Sequence, residues 1–176
     1  MAASAGSVFM EPWQRLDRAS ADEARALLAR CCGSTRWVDR MTTRRPFGGR
    51  SALQMAAAEE WNALDPSDWL EAFSHHPKIG DRESLRERFP ATHALSELEQ
   101  TGVSEASDAM LDALAESNRQ YESRFGYIFI VCATGKSVEE MLTLLYQRLP
   151  NDEKTELRIA AMEQQKITAI RLDGLN

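Results

Sequence analysis

A chain of 176 residues has the usual length of one domain, and a globular protein of that size buries roughly 70% of its unfolded surface. Hydrophobic residues make up 43% and charged residues 27%, a balance that excludes a disordered or fibrous chain. The net charge of -6, from 27 acidic against 21 basic side chains, excludes a broad cationic surface for nucleic acid or for an anionic membrane.

The opening MAASAGSVFMEPWQR has neither a basic n-region nor a sustained apolar stretch, so no secretory signal is read there. Residues 1–12 are expected to form a flexible N-terminus and residues 13–176 one helical domain. Ser20 followed by Glu23 is a capping-box signature, and ADEARALLARCC behind it predicts a short helix closed by Gly33. The stretch Met41 to Arg50, MTTRRPFGGR, reads as a loop, because Pro46, Gly48 and Gly49 interrupt any period, and its three arginines read as surface charge. SALQMAAAEEWNAL restores helical spacing through Leu53, Ala57, Trp61 and Leu64. Asp65-Pro66 ends it and starts the next helix, since proline is tolerated in a first turn. That helix is expected to turn Trp69, Leu70 and Phe73 to the core and to end near His75, because the residue before Pro77 is pushed out of the helical region.

From Gly80 to Ala94 the pattern is polar and broken by Pro90. Ser96 and Glu99 form a second capping box. Ser104 begins a long run through Met110, Leu111, Leu114, Ala115, Asn118 and Tyr121, which Phe125-Gly126 stops. YIFIVCATG has strand-like composition but no partner strand in the sequence, so it reads as an extended or tightly turned segment among helices. Its seven-residue apolar run, Tyr127 to Ala133, is far too short for the roughly 18 residues of a membrane span. Ser137 and Glu140 open a helix through Met141, Leu142, Leu145 and Leu149, ended by Pro150. The final run, with Ile159, Met162, Lys166 and Ile170 at helical intervals, reads as the longest helix. The fold class is therefore all-α: a single compact, irregular helical domain.

Three cysteines, two of them the adjacent Cys31 and Cys32, match neither a disulfide framework nor a CxxC site. A reducing compartment follows: peroxisome or cytosol in a eukaryote, cytoplasm in a bacterium. No nucleotide loop, GxSxG elbow or HExxH motif is present. His76 precedes a proline that restricts its backbone, which suits a general base with a reference pKa near 6.5. The alternative is a helix terminator carrying a surface histidine. His75 is the weaker candidate, since two neighbours on a turn do not both face one pocket. A metal reading would recruit His75, His76, His93 and Asp81, but their spacing fits no tetrahedral signature. Glu99 is a helix cap in one reading and a ligand contact in the other. Arg171 is by default a cation at the negative end of the last helix.

WLEAFSHHPKIG, SELEQTG, NRQYESRFGYIFIVCATGKS and EQQKITAIRL, in this order, resemble the 2-oxo-4-hydroxy-4-carboxy-5-ureidoimidazoline (OHCU) decarboxylase family over about Trp13 to Leu172. The resemblance implies an all-helical homodimer that removes CO2 to give (S)-allantoin with neither metal nor organic cofactor. It places the catalytic histidine at His76, with Pro77 beside it in the pocket. Ser96, Glu99 and Gln100 match the S-x-x-E-Q element that contacts the substrate, and Glu99 joins His76 as catalytic. Phe129, Ile130, Val131, Cys132 and Ala133 match the segment that holds the ring, and Arg171 matches the arginine reaching in from the last helix. CCGSTRWVDRM and AAMEQQKITAIRL look most like the plant branch, in which this domain is often joined to a transthyretin-like hydroxyisourate hydrolase domain. A partnership with such a domain is implied. A noncatalytic helical binding module and a metal-dependent hydrolase using the histidines are the alternatives.

Overall fold

The structure, a computed structural model, describes residues 10–76 and 97–175, the side chains of 97–107 excepted. Its helices are α1 (Pro12–Arg18), α2 (Ala21–Cys31), α3 (Thr35–Arg44), α4 (Arg50–Asn62), α5 (Pro66–Ser74), α6 (Glu97–Phe125), α7 (Val138–Arg148) and α8 (Glu153–Asp173). No strand occurs among the described residues, and the fold is all-α as expected. The chain packs as two units, one made of Met1–Ala72 with Gln165–Asn176 and the other of Phe73–Gln164.

In the first unit, α2 starts where the sequence places it: the Ser20 hydroxyl accepts the Glu23 N–H and the Glu23 carboxylate accepts the Ser20 N–H. The reciprocal pair satisfies two donors that a helix start otherwise leaves open. The Ser20 N–H and the Ser20 hydroxyl both donate to the Glu23 carboxylate and hold it below its usual range. Leu53, Ala57, Trp61 and Leu64 are all buried, as the period of α4 predicts.

Three expectations change here. The loop assigned to Met41 to Arg50 is confined to Arg45–Gly49, because α3 runs through to Arg44. Ser34 caps α3 by accepting the Trp37 N–H, and Trp37, Val38 and Met41 bury one face of it. Trp37 is fully enclosed and its indole N–H donates to the Ala57 carbonyl at 3.1 Å. Nor is Arg45 simple surface charge: its Nη1 donates to the carbonyls of Leu16 and Ala19, both at 2.7 Å, where the end of α1 leaves acceptors open. Leu70, expected in the core, is exposed on α5, while Ala72 and Phe73 are buried.

In the second unit, α6 is one uninterrupted helix of 29 residues, longer than the 21 of α8, against the expectation that the last helix is the longest. Leu111, Leu114, Ala115 and Tyr121 of α6 pack with Phe129, Val131, Met141 and Leu145 in the core. Gly126 ends α6 at φ +79°, a left-handed conformation that glycine adopts without strain, and its N–H closes on the Glu122 carbonyl. Residues 127–133 then run without helix or strand, and Phe129, Ile130, Val131 and Cys132 are buried, which is the wedged segment expected. The Ser137–Glu140 box opens α7 as predicted.

The last helix reverses its expected face. Met162 and Ile170 are exposed, whereas Glu156, Ala160, Gln164, Thr168 and Leu172 are buried. That stripe advances four residues at a time, the spacing of one helix face. Three of its five members are polar, so a search for apolar periodicity selects the opposite side.

Candidate active site

His76 sits immediately beyond α5, where its backbone N–H turns back to the Phe73 carbonyl at 3.1 Å. Of the adjacent histidines, His75 is exposed and His76 half-buried, so they do not share one environment. The His76 Nε2 meets Oε1 of Gln164 at 2.5 Å. Gln164 is fully buried on α8. A buried amide loses its water and must find partners within the protein, and an imidazole supplies one.

The same turn of α8 holds the 127–133 segment. Glu163 accepts the backbone N–H of Cys132 at 2.7 Å, and the Lys136 ammonium donates to the Cys132 carbonyl at 2.8 Å. Two residues earlier, the Ile130 carbonyl accepts Nη1 of Arg148 at 2.8 Å. Among the described residues no backbone hydrogen bond comes from the N–H of Val131 or of Ala133. Backbone donors in a buried segment are costly to leave without an acceptor.

Arg148 belongs to a buried polar network. Its Nε and Nη2 approach Oε1 of Glu156 at 2.8 and 2.6 Å, and its guanidinium lies 4.5 Å from the centre of the Phe129 ring. Tyr121 donates its hydroxyl to the same Glu156 oxygen, and Asn151 donates to the other at 2.8 Å. Burial, reinforced by the Glu156 hydrogen bond, drives the Tyr121 phenol well above its ordinary pKa. Tyr121 is therefore a neutral donor and not a proton carrier near neutrality.

Glu99 and Gln100 lie in the first turn of α6, which begins at Glu97; their side chains, and Pro77, Asp81, His93 and Ser96 altogether, are outside the described residues. Arg171 falls in the first unit, on the last turn of α8, where Nη1 donates to the Cys31 carbonyl at 3.3 Å. Cys31 and Cys32 are buried beside it and form no disulfide. Burial pushes the Cys31 thiol up to about 12 and that of Cys32 to about 11, so neither is a thiolate nucleophile at neutral pH. No cluster of three or more metal-ligating side chains occurs among the described residues, and no helix there is long and apolar enough to cross a membrane.

The sequence profile of the OHCU decarboxylase family matches residues 17–173. The chain belongs to that family. The chain is 42% identical to the uric acid degradation bifunctional protein TTL of Arabidopsis thaliana over 82% of its own length and 45% of the relative's. To the 2-oxo-4-hydroxy-4-carboxy-5-ureidoimidazoline decarboxylase of Amia calva it is 32% identical, covering 74% of each chain. Among solved structures, a crystal structure of OHCU decarboxylase in the presence of (S)-allantoin superposes with a TM-score of 0.69 at 36% identity, over 89% of this chain and 98% of that one. The chain spans less than half the length of the bifunctional relatives it matches.

Sequence reasoning singled out His76 and the 129–133 segment as candidates, but not the groups that contact them, Gln164, Glu163 and Arg148. Glu163, Gln164, Arg148 and Glu156 were passed over because charged and amide side chains on a helix read as solvated. The available signal was the four-residue spacing of Glu156, Ala160, Gln164, Thr168 and Leu172, visible only if polar residues are admitted to a buried face.

Proposed function

We propose that this chain decarboxylates 2-oxo-4-hydroxy-4-carboxy-5-ureidoimidazoline to (S)-allantoin and CO2, without a metal or organic cofactor. The observation that carries the reading is that the family match runs through residues 17–173 and includes a half-buried His76 whose ring is clamped by a buried amide. An imidazole restrained in this way loses little freedom when substrate binds and exchanges a proton near neutrality.

The substrate carries a hydroxyl and a carboxylate on one ring carbon, beside a C=N unit. When the bond to the carboxylate breaks, CO2 leaves and the electron pair passes into that unit, whose nitrogen takes up a proton. His76 removes the hydroxyl proton as the ring carbonyl forms. Glu99 and Gln100 orient the ureido and ring nitrogens. Backbone N–H groups around Val131 and Ala133 stabilise negative charge on the ring oxygen as it develops. A proton delivered from one face to the ureido-bearing carbon gives a single enantiomer, and His76, now charged, is the economical donor.

Urate oxidation reconstituted with and without this protein, followed by circular dichroism, tests the proposal. The expected result is rapid growth of a signal of one hand. A product formed at the spontaneous rate and without optical activity would refute it. The resemblance also supports a homodimer and a functional partnership with a hydroxyisourate hydrolase domain. Sedimentation velocity reading a monomer at micromolar concentration would remove the first. Absence of any rate gain on adding such a domain to the coupled assay would remove the second.

A further inference from the structure

A neutral imidazole has one N–H and one lone pair, and a side-chain amide has a donating end and an accepting end. The end of Gln164 that faces His76 is the oxygen, which only accepts. The contact therefore requires the proton on Nε2 and leaves the lone pair on Nδ1. Gln164 is fully buried, so its orientation is set by the protein interior and not by solvent. The preceding residue, Glu163, grips the Cys132 N–H, so one turn of α8 fixes both the imidazole and the buried segment.

We propose that Gln164 is a positioning residue that holds His76 in the Nε2–H tautomer, making Nδ1 the nitrogen that takes the substrate's hydroxyl proton. The proposal rests on the reading of His76 as the base. Its physical content is that the wrong tautomer presents an N–H where a lone pair is needed, and the population in that form does not react. Outer groups that orient a metal-bound imidazole typically change function about 10- to 100-fold when removed, and a loss of that order is expected for a group that orients a reacting one.

Two variants separate the roles. Gln164→Glu keeps an accepting oxygen and offers no amide donor, whereas Gln164→Leu keeps the volume and removes both. The full-length chain, labelled with 15N, is examined by long-range 1H–15N correlation at a pH where the ring is neutral, with the His76 signals assigned by their loss in His76→Asn. Wild type and Gln164→Glu should show the Nε2–H pattern, and Gln164→Leu a mixture of tautomers. In turnover, Gln164→Leu should lose about 10- to 100-fold in kcat with KM within about threefold, and Gln164→Glu should retain more of kcat than the leucine variant does. An Nδ1–H signature in the wild type overturns the assignment. So does a Gln164→Leu protein with the wild-type tautomer and kcat. The spectra do not depend on activity, so failure of the base reading is seen separately: a fully active His76→Asn enzyme overturns it and, with it, the part of Gln164 in turnover. Should the leucine variant not fold, the wild-type and glutamate spectra decide the tautomer alone.

Discussion

Replacing Arg148 by methionine would leave Glu156, which is fully buried, without the cation that neutralises it. The Ile130 carbonyl would lose its donor in the same step. Breaking a buried ion pair from one side typically costs about 3–5 kcal/mol, because the surviving charge stays desolvated. For a chain of this size each kcal/mol lowers Tm by about 2–4 °C, so the variant should melt roughly 6–20 °C below wild type. The pair's own share is isolated by a double-mutant cycle with Glu156→Leu. Removing both charges leaves no uncompensated ion, so the double variant should be more stable than the sum of the single losses by at least about 2 kcal/mol. It should not recover fully, since Tyr121 and Asn151 also lose their acceptor. Thermal and urea melts followed by circular dichroism provide all four corners. An Arg148→Met protein within about 2 °C of wild type, or a cycle in which the losses simply add, would refute the view that this pair is what holds the second unit's core around Ile130.

The remaining predictions concern chemistry and charge. His76→Asn should keep its fold, with a modest loss of Tm because buried Gln164 loses a partner, and lose about two to four orders of magnitude in kcat, while the exposed His75 should tolerate asparagine; near-wild-type turnover by the first variant in a direct assay of freshly generated substrate would sink the assignment. Glu99→Gln keeps much of the side chain's capping ability and should melt close to wild type, yet lose at least about thirtyfold in kcat/KM; kcat/KM within about threefold with a lowered Tm would make Glu99 a cap alone. Arg50 holds the Asp173 carboxyl below its ordinary pKa of 3.8 through a bidentate contact at 2.7 and 2.9 Å. That contribution is present above the unfolded pKa and lost as pH falls through the depressed folded value. The small Tm gap between wild type and Arg50→Ala should thus close on acidification, and a gap that widens would show the sign to be wrong. Dialysis against a strong chelator should leave the rate unchanged, and activity lost and then restored by zinc or manganese would reverse the cofactor-free reading.

Helix starts were legible because they are local. Ser20 with Glu23 and Ser137 with Glu140 announce α2 and α7 within four residues. The wedged run after Gly126 was legible because its composition fitted a strand while no partner existed. By contrast α3 was hidden among arginines and threonines, its period carried by Trp37, Val38 and Met41 alone. At the candidate site, His76 stood out through the proline that follows it, a neighbour in sequence. Gln164 is 88 positions away from the ring it holds, and Glu163 is 31 from Cys132. Nothing local in EQQK distinguishes a buried amide from a solvated one, so only the fold reveals the pairing.

The polar residues of α8 in the second unit have a common physical logic. Glu156 through Arg148 fixes the carbonyl of Ile130, Glu163 fixes the N–H of Cys132, and Gln164 fixes the ring of His76. Each removes a polar group from water, and well-packed apolar residues in such places are often as stable or more so. An apolar face, however, packs without direction: it holds a segment against the core without fixing where its carbonyls, its N–H groups or an imidazole lone pair point. Hydrogen bonds supply that direction, at the expense of some stability. Stability and turnover should therefore separate along this helix. Gln164→Leu, which replaces a buried amide by a side chain of similar size, should melt at or near the wild-type temperature while turnover falls. Arg148→Met should lower both. If Gln164→Leu lost melting temperature as steeply as Arg148→Met and turnover fell only in proportion, the amide would belong to the core's stability and its alignment with His76 would have no bearing on the reaction.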